Sequence, residues 1–241
     1  MLARRDLGES DRLVVLLGKQ MGKFSARAPG ARRSRRRFGG RLELFSRIEV
    51  MAVLKGRTGL AHLDDAVLLD AHQGIRGDLI ATAQAAYLTE LVSCLLREAD
   101  RSPEVFDLLA DALQRLDRER LGVWSLRRFE IELLKLIGFA PAFDVCQECG
   151  VRSSERWSLQ AGMGGLLCEA CAPRSGSVSA AAVNVLRRIQ ADEPCERVDD
   201  ATMAEVRGLL AAMVDGLVDR PLKARDFLYR LACEQDRSWA R

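Results

Sequence analysis

The chain has 241 residues, of which 48% are hydrophobic and 29% charged, a composition typical of one or two globular domains and not of a disordered protein. Its net charge of +3 conceals a division, because residues 1–60 contain 15 Lys and Arg against 5 Asp and Glu, whereas residues 61–241 contain 22 against 29. No secretory leader or membrane-spanning apolar segment is evident, so the sequence predicts a cytosolic protein whose N-terminal part meets a polyanion.

The N-terminal region is predicted to form a small β-barrel. From Leu13 to about Ala71, short apolar clusters alternate with turn residues. Residues 41–50 alternate apolar with charged side chains, which predicts a half-buried strand. About five strands in a region of this size suit an OB-fold, although an SH3-like barrel would have the same periodicity.

After residue 72 the apolar residues recur with a helical period. The predicted helices cover residues 85–98, 102–116, 125–139, 180–190, 203–218 and 222–234. Ser102 followed by Pro103 is a typical helix start, because serine caps the first turn and proline fits its first position. The expected fold class is therefore α+β, with an OB-fold-like β-barrel over residues 1–72 and an α-helical domain over residues 73–241.

Four of the seven cysteines form two short motifs, CQEC and CEAC, separated by 18 residues. This spacing is typical of a zinc ion held by four thiolates at about 2.3 Å. Because sulfur fills every coordination position, the site is expected to be structural; unrelated turns or a redox dithiol are the alternatives. The predicted ligands of a single Zn²⁺ are Cys146, Cys149, Cys168 and Cys171, in an insertion over about residues 143–173.

The segment "GARRSRRRFGG" (Gly30–Gly40), the arginine loop, contains five arginines and no acidic residue. Such like charges repel one another unless a partner relieves them, and guanidinium groups bind phosphates through paired hydrogen bonds. Interleaved phenylalanines favour single-stranded DNA, whose bases can stack on aromatic rings. The candidate DNA-binding residues are Lys23, Arg27, Arg32, Arg33, Arg35, Arg36, Arg37, Phe38 and Arg41.

Other interpretations of the arginine loop stay open. It could be a solvated loop, or it could dock an acidic protein or a membrane surface. Phe38 could stack on a base or anchor the loop to the barrel. Enzyme activity is not expected, because the two histidines have no nucleophile motif beside them and no phosphate-binding glycine loop occurs, so no catalytic residue is predicted.

Several segments, taken in order, resemble the RecO family of bacterial recombination mediators. They are "LGESDRLVVLL", "GKFSARAPGARRSRRRFGGRLELF", "LLKLIGFAPAFDVCQECG", "GGLLCEAC" and "RPLKARDFL". The resemblance implies an N-terminal OB-fold, then a helical domain with a zinc-binding insertion. Family members usually begin with several more residues, so either the start is misassigned or the first strand is short, and in both cases closure of the barrel at residues 1–6 is not assured.

The resemblance also implies a function. Family members bind single- and double-stranded DNA, anneal complementary strands, and act with RecR and the single-stranded-DNA-binding protein to load RecA. They are not enzymes, and their expected location is the cytoplasm, at the bacterial nucleoid, without a membrane partner. A second hypothesis from another class is a zinc-ribbon adaptor whose basic loop docks an acidic protein.

Overall fold

A computed structural model describes residues 1–34, 36–54, 59–160, 164–172, 178–193 and 198–234. The strands are β1 (Ala3–Leu7), β2 (Asp11–Gly18), β3 (Gly22–Ala28), β4 (Arg47–Leu54), β5 (Ala61–Asp70), β6 (Ala142–Cys146), β7 (Arg156–Gln160), β8 (Gly165–Cys168) and β9 (Val178–Ser179). The helices are α1 (Gln73–Gly77), α2 (Leu79–Leu95), α3 (Pro103–Leu116), α4 (Val123–Leu136), α5 (Ala180–Gln190), α6 (Asp200–Asp215) and α7 (Lys223–Glu234). Among the helices in these ranges, none is long and apolar enough to cross a membrane.

The α+β class is confirmed, with a sheet at the N-terminus and helices after it. The first five strands form one sheet in the order β1-β2-β3-β5-β4, in which only β3 and β5 are parallel. Five strands of this kind suit the partly open OB-fold.

The prediction of a barrel was wrong in one respect, because the sheet is not closed. In the described part of the chain, the edge strands β1 and β4 share no ladder. Two backbone hydrogen bonds join the residues that precede these strands: the Met1 amino group donates to the Ser46 carbonyl at 2.9 Å, and the Met1 carbonyl accepts from the Phe45 N–H at 3.2 Å. β1 has five residues.

The strand predicted over residues 41–50 begins later, at Arg47. Residues 41–46 form turns, and Phe45 has a positive φ of 67° that no strand residue adopts. The apolar alternation was misleading because Leu42 is buried from a turn and not from a strand, at 1% exposure. The segment "KGRTG" (residues 55–59) also predicts a turn, but all of it except Gly59 lies outside the described residues.

The core of the sheet is shared between strands and the loop that follows β3. Its buried members are Val14, Leu16, Phe24, Ala26, Ala28, Ala31, Phe38, Leu42, Ala61, Leu63 and Ala66. Three of these side chains belong to residues 31–42, so the loop covers part of the inner face of the sheet and is fixed by hydrophobic burial.

The chain divides into two compact units, one formed by Met1–Leu121 with α7 and the other by Gly122–Pro221. The predicted domain boundary at residue 72 stays a prediction. In the first unit, β3 is docked closely against the segment that follows α2. Gly22, at φ 71°, allows this approach, because a Cβ there would lie 2.0 Å from the carbonyl oxygen of Asp100.

The predicted helices are present, with shifted ends. α3 starts as predicted, with the Ser102 side chain accepting a hydrogen bond from the Val105 N–H, and α5 has the predicted bounds. The short helix α1 was not predicted, because five residues are too few for a helical period to show. In the second unit, strands β6–β9 form a sheet in the order β6-β8-β7-β9, the cysteine module, beside helices α4–α6.

Candidate functional site

The arginine loop is anchored by its one aromatic residue. Phe38 is 2% exposed and lies in the core of the sheet together with Ala31 and Leu42. Gly30 and Gly40, at the two ends of the loop, have φ of 67° and 68°, a left-handed conformation that costs glycine little. The two glycines therefore serve defined turns at the two ends of the loop.

Asp11, the first residue of β2, holds the start of the loop. Its carboxylate accepts hydrogen bonds from the Gly30 N–H at 2.9 Å, the Ser10 hydroxyl at 2.8 Å and the Arg27 Nε at 2.7 Å. The Gly30 bond, followed by those from Ser10 and Arg27, lowers the pKa of Asp11 to about 2 against the opposing effect of desolvation. Asp11 is thus an anion that orients both Arg27 and the loop.

Arg32 and Arg41 also have partners within the first unit. Arg32 donates to the Gly8 carbonyl at 2.9 Å and lies 3.5 Å from a carboxylate oxygen of Asp6. Arg41 donates to the Ala66 carbonyl at 2.8 Å and, like Arg32, lies within ion-pair distance of a carboxylate. These two guanidinium groups connect the loop to the strands around it.

Arg33, Arg36 and Arg37 are exposed, as is Arg32. The Arg33 side chain is 71% exposed, and its only ion pair in the described structure is a 3.4 Å contact with Glu9, which is itself 91% exposed. Arg36 is exposed and has no ion pair among the described residues. Arg37 donates to the Pro29 carbonyl and lies over the Phe38 ring, 5.2 Å from its centroid. Arg35 lies outside the described residues.

Lys23 points away from the loop, toward the C-terminus of α2. Its ammonium donates to the Ser93 carbonyl at 2.7 Å and to that of Leu96. Carbonyl groups at a helix C-terminus have no partner within the helix and carry partial negative charge, so a lysine there stabilises the helix end. The structure therefore gives Lys23 a structural contact that sequence spacing did not indicate.

The interleaved aromatic rings do not face solvent. Phe24, Phe38 and Phe45 are 6%, 2% and 5% exposed. A base could stack on one of these rings only if the ring left the interior, at the cost of the burial it makes. For Phe38, the geometry favours anchoring of the loop over base stacking.

The four predicted metal ligands come together in the cysteine module. The Sγ atoms of Cys146, Cys149, Cys168 and Cys171 all lie within 4.8 Å of one another. Tetrahedral zinc bound at about 2.3 Å requires sulfurs roughly 3.8 Å apart, and the Cys149 and Cys168 sulfurs are separated by 3.6 Å. The donor set therefore fits a thiophilic ion such as Zn²⁺.

Both cysteine pairs are presented by a turn of the same kind. The Cys146 carbonyl accepts from the Gly150 N–H at 2.9 Å, and the Cys168 carbonyl accepts from the Cys171 and Ala172 N–H groups at 3.1 and 3.0 Å. The Cys168 N–H in turn points at the Cys146 sulfur, 3.4 Å away. These turns bring the two sulfurs of each motif to one side of the backbone.

The thiols of the cluster differ in pKa when no cation is bound to them. Burial opposes ionisation of Cys146, but N–H groups of Cys149, Cys168 and Glu148 outweigh it and lower its pKa to about 6. Hydrogen bonds between the Cys171 thiol and the sulfurs of Cys149 and Cys168 stabilise its protonated form and raise its pKa, and the charge of Cys146 adds to the effect. A bound cation removes this conflict, since it stabilises all four thiolates together.

Two protein-family models together match most of the chain. The family model described as Recombination protein O N terminal matches residues 1–72, and the model described as Recombination protein O C terminal matches residues 76–226.

Full-length relatives give the same result. A protein of Myxococcus xanthus is 36% identical over 97% of this chain and 96% of its own length, and one of Anaeromyxobacter sp. is 38% identical over 92% and 91%. A protein of Geobacter sulfurreducens is 34% identical over 96% of both chains. All three are named DNA repair protein RecO. The chain therefore belongs to the RecO family, and this membership supports a role in DNA repair and recombination.

Proposed function

We propose that this protein is a recombination mediator that binds the phosphate backbone of single- and double-stranded DNA through its arginine loop and anneals complementary strands. It does so without covalent chemistry. Neutralisation of charge lets two polyanions approach each other, and contacts limited to the backbone leave the base edges free to pair.

The observation that carries the proposal is that a buried aromatic residue anchors a loop that carries exposed arginines. Phe38 is buried in the core of the sheet, whereas Arg33, Arg36 and Arg37, like Arg32, are exposed. An anchored loop loses little conformational freedom on binding, so more of its interaction energy contributes to affinity.

Phosphates can replace the weak partners of the exposed arginines. The pair between Arg33 and Glu9 is largely solvated, and such surface pairs contribute only about 0–1 kcal/mol. A phosphate oxygen offers the guanidinium a stronger, charge-assisted contact. If about five arginines of the loop each neutralise a phosphate of single-stranded DNA, log K falls with log salt at a slope of roughly −3.5.

The finer steps of the proposal rest on the resemblance to the RecO family. The protein acts with RecR and the single-stranded-DNA-binding protein to load RecA at gaps, in the cytoplasm at the nucleoid. One Zn²⁺ bound by the four cysteines holds the cysteine module together and takes no part in a reaction, because its thiolates leave no open position.

Strand annealing tests this proposal. Complementary oligonucleotides carrying a fluorescence-transfer pair are coated with single-stranded-DNA-binding protein, and duplex formation is followed with and without the purified chain. We expect annealing to accelerate in its presence, and RecA filaments to assemble on the coated strand only when RecR is added as well.

The adaptor hypothesis predicts the opposite outcome. A protein whose loop docks an acidic partner would leave both the annealing rate and RecA assembly unchanged, and this result would overturn the proposal. Poly-glutamate serves as a competitor of matched charge: it should inhibit annealing far less than an equal charge of single-stranded DNA, because carboxylates spaced along a polypeptide lack the regular phosphate repeat of a DNA strand.

A further inference from the structure

Arg187 is not a metal ligand, but its guanidinium contacts the backbone on both sides of the first cysteine pair. Arg187, in helix α5, donates from Nε to the Phe143 carbonyl at 2.7 Å and from Nη2 to the Asp144 and Arg152 carbonyls at 3.0 Å each. The first two carbonyls precede Cys146, and the third follows Cys149. A single side chain thus joins the two chain segments that enter and leave the first cysteine turn.

The same guanidinium reaches the second cysteine pair through an aromatic ring. Arg187 lies over Trp157, 5.5 Å from the ring centroid, and Trp157 is 1% exposed. Trp157 in β7 is the direct strand partner of Cys168 in β8. Arg187 is therefore connected to both halves of the four-cysteine cluster, by hydrogen bonds on one side and by a cation–π contact on the other.

We propose that Arg187 is a positioning residue for the metal centre, which holds the two cysteine turns in the relative placement that an ion requires. The inference deepens the proposed zinc site and rests on it. Residues that orient ligands in this way typically change metal affinity about 10- to 100-fold when they are replaced. Lysine is a poor substitute, because a single ammonium cannot reproduce a planar fork that serves three carbonyls.

The chain offers a matched control in Arg128. Arg128 belongs to the same compact unit and is exposed, and it forms an ion pair with Asp192 instead of contacting the cysteine module. Arg128→Ala therefore removes the same charge without removing the contacts to the cysteine turns.

The test measures metal binding by the full-length protein. Zinc affinity is determined by competition with a chromophoric chelator, and the ligand-field spectrum of the Co²⁺-substituted protein reports the geometry of the four thiolates. We expect Arg187→Ala to bind zinc about 10- to 100-fold more weakly with an altered Co²⁺ spectrum, Arg187→Lys to be intermediate, and Arg128→Ala to match the wild type.

The results distinguish the existence of the zinc site from the positioning role of Arg187. If the wild type holds no metal, the zinc site itself is contradicted, and this inference with it. If the wild type holds zinc and Arg187→Ala has the same affinity and the same Co²⁺ spectrum, Arg187 does not position the centre. Should Arg187→Ala fail to fold, Arg187→Lys decides, and wild-type affinity and spectrum in that variant would overturn the proposal.

Discussion

The carboxylate of Asp11 accepts a hydrogen bond from the backbone N–H of Gly30 at 2.9 Å. The bond joins the first residue of β2 to the first residue of the arginine loop. Because Asp11 also accepts from Arg27, one buried anion fixes the start of the loop and a neighbouring guanidinium. The loop therefore depends on a carboxylate far from it in sequence.

This contact predicts a pH-dependent stability. The pKa of Asp11 is lowered to about 2 in the folded protein from an ordinary value of 3.8. Its contribution to folding is therefore fully present above the unfolded value and is lost as the pH falls through the folded one. We expect Asp11→Asn to lower the free energy of unfolding by a constant amount between about pH 5 and pH 7, and by progressively less between about pH 4 and pH 2.

Chemical denaturation of both proteins across this range measures the difference. Glu9→Gln is the control, because the Glu9 side chain is 91% exposed and removing its charge should change stability little. A destabilisation by Asp11→Asn that is as large at pH 2 as at pH 7 would show that the ionised carboxylate is not its origin.

Substitutions of Phe38 test whether its ring anchors the loop or stacks on a base. Because Phe38 is 2% exposed, Phe38→Ala should lower the free energy of unfolding by about 3–5 kcal/mol. Phe38→Leu keeps an apolar side chain in the core, so it should cost only about 1 kcal/mol and leave the affinity for single-stranded DNA unchanged. An affinity loss of about tenfold or more in a folded Phe38→Leu protein would instead indicate base stacking.

Two glycines with similar backbone angles should respond differently to alanine. Gly8 has φ 62° with no atom within 4 Å of a built Cβ, whereas a Cβ at Gly22 would lie 2.0 Å from the Asp100 carbonyl oxygen. Gly8→Ala should therefore cost only backbone strain, about 1 kcal/mol. Gly22→Ala should cost more than about 3 kcal/mol, since β3 or the segment after α2 must move as well. Equal effects in thermal or chemical denaturation would contradict the close docking of β3.

Metal removal should affect the two compact units unequally. The four clustered cysteines lie in the unit Gly122–Pro221, and the arginine loop lies in the other. We expect chelation, or Cys149→Ser, to increase hydrogen exchange in β6–β9 and α5 while the affinity for DNA stays within about twofold of the wild type. Cys94→Ser, which changes a cysteine outside the cluster, is the control. A parallel loss of DNA binding would show that the two features are coupled.

The parts of the fold that rest on local patterns could be predicted from the sequence. α5 has the predicted bounds, and Ser102 caps the N-terminus of α3 as predicted. Both features depend on residues that are neighbours in the sequence. The four cysteines also come together as predicted, since the turn within each motif directs its two sulfurs to one side.

The contacts that could not be predicted join distant segments. Nothing in the sequence near Lys23 indicates that its ammonium binds carbonyls at the end of α2, and Asp11 precedes its partner Gly30 by 19 residues. The role of Phe38 could not be predicted for the same reason, because an aromatic side chain in a charged loop can face either the core or the solvent. Only the packing of the loop on the sheet decides between burial and exposure.

In the proposed function, the exposed arginines of the loop bind the DNA backbone. Affinity for single-stranded DNA should therefore be measured over a series of salt concentrations for Arg33, Arg36 and Arg37 changed together to Ala. The matched control changes Arg97, Arg101 and Arg118, three exposed arginines of the same unit, and so removes the same charge elsewhere. We expect the loop variant to bind at least about tenfold more weakly, with a salt slope shallower by about 2, while the control stays close to the wild type. Equal affinities and slopes for the two triple variants would contradict the assignment of DNA binding to this loop.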